Sequence, residues 1–272
     1  MSARVPTPAD PPATAKPATA IVVAIAVLAS LAPWIAGGLL APVAQPQSYH
    51  NFCDQRVFLR IPNALNVLSN LPFLLVGLLG LRALPGLTLL PPRSRSQAPW
   101  AVMFLGIALT AIGSSYYHID PNDATLVWDR LPMTVAFAGL VAGTLADRSP
   151  RLTWPLLAVL LLVGAGSVVY WALRGNLVPY IVVQAGFIGA ALAATAAVRS
   201  PYTLAARIYP ATALYAGAMI SERYDFEISA LLANTVSGHT LKHLLAAASA
   251  YVLLRMLVER RLQQGRPSSA AG

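Results

Sequence analysis

The chain has 272 residues, of which 57% are hydrophobic and only 11% charged, with a mean hydropathy of +0.62. Soluble domains carry roughly 25% charged residues, so this composition excludes an ordinary soluble enzyme and indicates a polytopic, all-α transmembrane helix bundle. The formal net charge of +9 and pI near 10.1 report membrane orientation rather than nucleic-acid binding, and the single cysteine, Cys53, excludes an internal disulfide and any cysteine-based zinc cluster.

Residues 1–18 are rich in Pro, Ala and Thr, lack apolar periodicity and read as a disordered tail. The apolar run at 19–41 is too long for the hydrophobic stretch of a typical signal peptide and reads as a retained transmembrane helix. Seven further apolar segments follow, at 63–84, 100–118, 129–146, 152–173, 178–198, 206–221 and 239–258. They form one membrane domain over 42–260, and 261–272 reads as a second tail. The segment at 206–221 is short for a span. Eight crossings put both ends on one side. Thirteen of the 19 basic residues then fall on that side and six on the other, which places both termini in the cytoplasm. The Ala-, Leu- and Pro-rich composition fits a GC-rich bacterial genome, and hence a bacterial inner membrane.

All four histidines, His50, His118, His239 and His243, map to the outer side of this topology. His239 and His243 stand at i, i+4, on one face of one helix. That spacing lets two imidazoles share a metal ion. His118, from another helix, would make a third ligand and leave a fourth position open for water, the catalytic pattern for zinc. The same spacing also suits histidines that anchor helix ends at headgroup level, so both readings stand. Ser114 lies one turn before His118. Its hydroxyl either back-bonds to its own helix or faces the metal or a substrate carbonyl. Asp129 opens the 129–146 segment, where a carboxylate either caps helix amides or accepts a proton. Asn63, Asn66 and Asn70 form a polar stripe that must turn into the bundle to find partners.

The blocks HNFCDQR…IPNALNVLSNLPF, GSSYYHIDPNDATLVWDRLPMT and SGHTLKHLLAA, in this order, resemble the alkaline ceramidases. They also resemble the wider superfamily of seven-helix membrane hydrolases that includes the adiponectin-receptor-like proteins. The likeness runs from about residue 49 to the end of the last helix. It implies a seven-helix core, here preceded by one extra helix, and a zinc amidase acting on a membrane lipid. By motif position His118, His239 and His243 match the zinc ligands, Ser114 the serine beside the metal, and Asp129 the catalytic aspartate. The implied reaction cleaves the N-acyl bond of ceramide to a sphingoid base and a fatty acid, with Asp129 moving the proton. The family's eukaryotic members carry an acidic calcium site near residues 51–63. Here Asn63 stands where a carboxylate is expected and Arg56 adds a positive charge, so the expectation is an Arg56–Asp54 pair and no calcium.

Other classes remain in play from sequence. One is a non-catalytic zinc-containing receptor or lipid-binding protein. Others are a haem or quinone protein, an intramembrane serine protease using Ser114, and a transporter. No protein partner is legible in the sequence.

Overall fold

A computed structural model of the protein describes residues 15–86 and 97–263. Helix α1 (Ala15–Leu39) comes first, and the next span is split into α2 (Ala64–Leu68) and α3 (Leu71–Ala83). Then follow α4 (Gln97–Ile119), α5 (Asp123–Ala146), α6 (Thr153–Arg174) and α7 (Val178–Ala197). The last are α8 (Ile208–Arg223), the short α9 (Asp225–Leu231) and α10 (Gly238–Glu259). No strand occurs among the described residues. The architecture is an all-α polytopic membrane bundle, with α1 laid against α6 and α7 as an addition to the core.

Among the described residues, seven helical stretches are long and apolar enough to cross a membrane, against eight expected. The segment outside the count is α8. Its 16 residues extend about 24 Å at 1.5 Å per residue, short of a hydrocarbon core of about 30 Å. Its ends nevertheless sit level with those of α10. Arg207 Nη1 reaches Glu259 Oε2 at 2.5 Å at one end, and Glu222 pairs with Lys242 at the other.

Several boundaries differ from the sequence reading, each for a local reason. Helix α1 starts four residues inside the expected tail. The expected tail from 261 begins as a clasp: Arg261 O accepts from Thr203 N, and Gln263 N donates to Pro201 O, both at 2.8 Å. The rest of the two tails lies outside the described residues, as do Arg4, Arg93, Arg95 and Arg266, which were counted toward orientation. Helix α5 starts six residues before 129 because Asn122 caps it. The Asn122 side chain accepts from Ala124 N and Thr125 N at 2.9 and 3.0 Å, and Thr125 Oγ1 accepts in return from Asn122 N. Asp129 is therefore not a cap. It lies nearly two turns inside α5, with its carboxylate free for other duties.

The α4–α5 crossing is made close by glycine. A Cβ on Gly113 would strike the Trp128 carbonyl, and one on Gly139 would strike the Met103 backbone. Small residues let helix backbones approach where lipid offers no hydrophobic drive for association. This close approach brings Ser114, the residue after Gly113, onto Asp129, the residue after Trp128.

Candidate metal centre and cavity

Ser114 and His118 sit one turn apart near the end of α4, and His239 and His243 one turn apart at the start of α10; all four are buried. The three imidazoles converge. His118 Nε2 lies 3.2 Å from His239 Nε2, and the ring centroids are 4.8, 5.0 and 4.8 Å apart. All three candidate ligand nitrogens lie within 4.8 Å of one another. The fourth histidine stands apart, with its Nδ1 at 2.9 Å from Tyr117 Oη and its Nε2 at 3.0 Å from Asp123 Oδ1.

A break in the second span holds this arrangement. In a continuous helix the Asn66 carbonyl would accept from the Asn70 amide. That amide instead bonds Val67 O at 3.2 Å, which takes the Asn66 carbonyl out of the backbone ladder and leaves it to side chains, Asn70 Nδ2 donating to it at 3.0 Å and Ser69 Oγ at 3.1 Å. His243 Nδ1 meets it at 3.1 Å and the Ser69 hydroxyl at 2.8 Å. A carbonyl only accepts, so Nδ1 carries the proton and the Nε2 lone pair is left as a ligand. Asn66 Oδ1 also accepts from Thr240 Oγ1 at 2.9 Å, which ties the break to the first turn of α10. The Asn stripe does turn inward, and beyond packing it orients a histidine. Asn63 donates through Nδ2 to the His118 carbonyl at 2.8 Å. Asp225 Oδ1 accepts from the His239 amide at 2.7 Å. Phe52 roofs the centre, its ring centroid 4.6 Å from that of His118 and 4.5 Å from that of His239.

The donor set fits a metal ion. Two ligands on a tetrahedral ion with bonds near 2.05 Å are about 3.3 Å apart, close to the Nε2–Nε2 separation. His118 Nδ1 has no hydrogen-bond partner among the described residues. Three buried imidazoles in mutual contact can hold a metal ion.

Ser114 and Asp129 share the wall of one cavity, where the serine hydroxyl faces the same space as the carboxylate. That cavity is also lined by His243 and Lys242. The cavity runs down to Leu253 between apolar walls such as Phe73, Met103 and Leu140. Lys242 to Leu253 is eleven residues of helix, about 16 Å.

Sequence reasoning did not pick out Glu222, Lys242, Tyr49, Ser69, Phe52 or Arg130. Lys242 donates to Glu222, which also accepts from Tyr49 Oη at 2.8 Å and lies 3.8 Å from His239 Nδ1. Burial and the Glu222 carboxylate push the Tyr49 phenol well up, which keeps it a proton donor. Lys242 carries a readable signal in the sequence, an ionisable group inside a membrane helix between two histidines. Arg130 is buried under Trp171 and Tyr180, 4.2 and 4.7 Å from their ring centroids, and bonds Gln45 Oε1 at 2.6 Å. The expected pair forms: Arg56 Nε meets Asp54 Oδ1 at 2.5 Å, and Asp54 Oδ2 accepts from Leu65 N at 2.9 Å.

Against this geometry, the family description Ceramidase matches residues 44–270. The chain belongs to the ceramidase family. The matched span covers the seven-helix core, the segment before α2 and every residue of the metal centre, and leaves all of α1 outside. No curated protein and no solved structure matches the chain. Membership in the ceramidase family implies hydrolysis of a lipid amide, and the apolar helices fit a substrate drawn from the membrane.

Proposed function

We propose that this protein is a zinc-dependent intramembrane amidase that cleaves the N-acyl bond of ceramide or a related lipid amide, releasing a sphingoid base and a fatty acid. The observation that carries the reading is the convergence of three buried imidazoles, one of which, His243, lines an apolar cavity together with Ser114 and Asp129. His118, His239 and His243 would hold the ion. Zinc bound there would supply Lewis acidity and make water acidic enough to attack near neutral pH.

The chain's own residues do the rest. Asp129 takes the proton of the attacking water and returns it to the leaving nitrogen, so that amide and water become acid and amine. Ser114, in the same cavity wall as Asp129, presents a polar atom beside the reacting carbonyl. The cavity takes the acyl chain. At roughly 1.25 Å per methylene, from a C–C bond near 1.5 Å, its depth suits about a dozen methylenes. Phe52 keeps bulk water off the outer side of the centre. Calcium has no part in this scheme, because Arg56 neutralises Asp54. The basic-residue asymmetry supports an inner-membrane protein with both termini cytoplasmic and the centre toward the outer side.

The test is elemental mass spectrometry on the detergent-purified protein beside a His239→Ala, His243→Ala variant, with ceramide hydrolysis measured on both. The expected result is near one zinc per chain and chelator-sensitive turnover, both lost in the variant. A folded, chelator-free preparation without zinc overturns the proposal.

A further inference from the structure

Lys242 is buried in the wall of the cavity, one residue from His243. Its ammonium has three N–H donors. Among the described residues Glu222 is its one hydrogen-bond acceptor, and Glu222 is shared with the Tyr49 hydroxyl and faces His239. Lys242 lines the same cavity as Asp129, Ser114 and His243, which puts its ammonium in the space where the reaction is proposed to run. A second buried cation, Arg130, stands next to Asp129 in the chain. It forms no ion pair among the described residues, and its Nη1 has no partner there. Desolvating a charge is costly unless its remaining valences are met. A neutral sphingoid headgroup offers hydroxyls but no counter-charge.

Resting on the amidase reading of this site, we propose that Lys242 is a specificity-determining residue that binds an anionic group on the amine side of the scissile amide. Among the lipid amides related to ceramide, the class that fits this feature is the N-acyl amino acids, whose carboxylate lies one carbon from the amide nitrogen. The acyl chain occupies the apolar cavity while the carboxylate takes the ammonium donors that Glu222 leaves open.

The experiment compares N-lauroylglycine with N-lauroylethanolamine, which share chain and amide and differ in carboxylate against hydroxyl. Binding is measured by calorimetry on chelator-treated protein, and hydrolysis of both, and of a C12 ceramide, on the zinc-loaded protein. A charge-assisted hydrogen bond predicts about tenfold or more tighter binding of the glycine amide. Lys242→Met should bring the two ligands together, with the ethanolamide moving less than about threefold, and Lys242→Arg should restore part of the gap. The double variant Lys242→Met, Glu222→Gln removes both charges and controls for an unpaired Glu222. Equal affinities in the parent protein, or a preference that survives the double variant, overturn the inference. So does Lys242-dependent binding of free laurate with none of N-lauroylglycine, which would assign the lysine to the acyl product. A Lys242-dependent preference with no amide cleaved removes the amidase reading and leaves the charge recognition standing. Ceramide turnover without any charge preference does the reverse.

Discussion

At one end of the bundle Asp147 and Arg260 form a buried pair, Oδ2 to Nη1 at 2.5 Å, with the guanidinium 4.1 Å from the Tyr202 ring and 5.7 Å from that of Trp100. At the other end His118 and His239 cluster with His243, and His243, Asp129 and Lys242 line the cavity. Both ends bury charge among aromatic rings, yet their valences are used differently. Burial raises the pKa of Asp147, and Arg260 opposes that shift as a dedicated counter-ion, so the pair is closed on itself and clasps α5 to the end of α10. Both ends leave buried atoms without a partner among the described residues, Trp100 Nε1 and Arg148 Nη2 at the first and His118 Nδ1 and Arg130 Nη1 at the second. The difference lies in the carboxylates: Asp129, in the cavity wall, has no ion pair among the described residues. A buried carboxylate with a dedicated cation fastens helices. One without, beside a cavity, is open to a ligand.

That contrast can be broken most forcefully at the histidines. His118→Ala, His239→Ala or His243→Ala should each remove bound metal and at least about a thousandfold of turnover, read by elemental analysis beside the amide assay. Asp129→Asn should lower kcat by about 10²–10⁴-fold while metal stoichiometry stays near the parent value; full activity in that variant would remove the role given to Asp129. Asn66 acts on His243 through its backbone carbonyl, so the informative change is Ser69→Ala, expected to weaken metal affinity about 10–100-fold in competition with a chelator. Gly113→Ala sharpens the comparison against Gly139→Ala. Both force the α4–α5 contact and should cost stability, but only the first moves Ser114 off Asp129, with an expected loss of about tenfold to a hundredfold in kcat. The smallest effect on activity belongs to the clasp. Asp147→Asn should destabilise by about 3–5 kcal/mol in thermal or denaturant unfolding and leave kcat of the surviving folded protein within about twofold.

The two ends also differ in how far the sequence discloses them. The apolar runs set the number and order of the helices because lipid demands about 20 apolar residues per span; α8 is the weak member for that same reason. The histidine triad was legible because i, i+4 spacing is a property of one helix and needs only a third ligand at the same level. The Ser114–Asp129 contact was not, since it depends on how closely α4 and α5 cross at Gly113 and on a cap at Asn122 that moves Asp129 into the helix interior. The 63–84 segment reads as one continuous apolar run, and nothing in its hydropathy marks the break at Ser69–Asn70. Lys242 was visible as a charge, but pairing with Glu222 is a contact between α10 and α8 that spacing within one helix does not encode.

The interruption between α2 and α3 has a bearing on any effort to harden this protein. Residues that favour unbroken helix, such as Ala at Asn70, would restore the regular ladder and return the Asn66 carbonyl to it. Selection for thermal tolerance would favour such a change, and His243 would lose the acceptor that fixes its tautomer. Robustness and chemistry therefore pull against each other at one peptide group, and the more durable variant is expected to be the poorer enzyme.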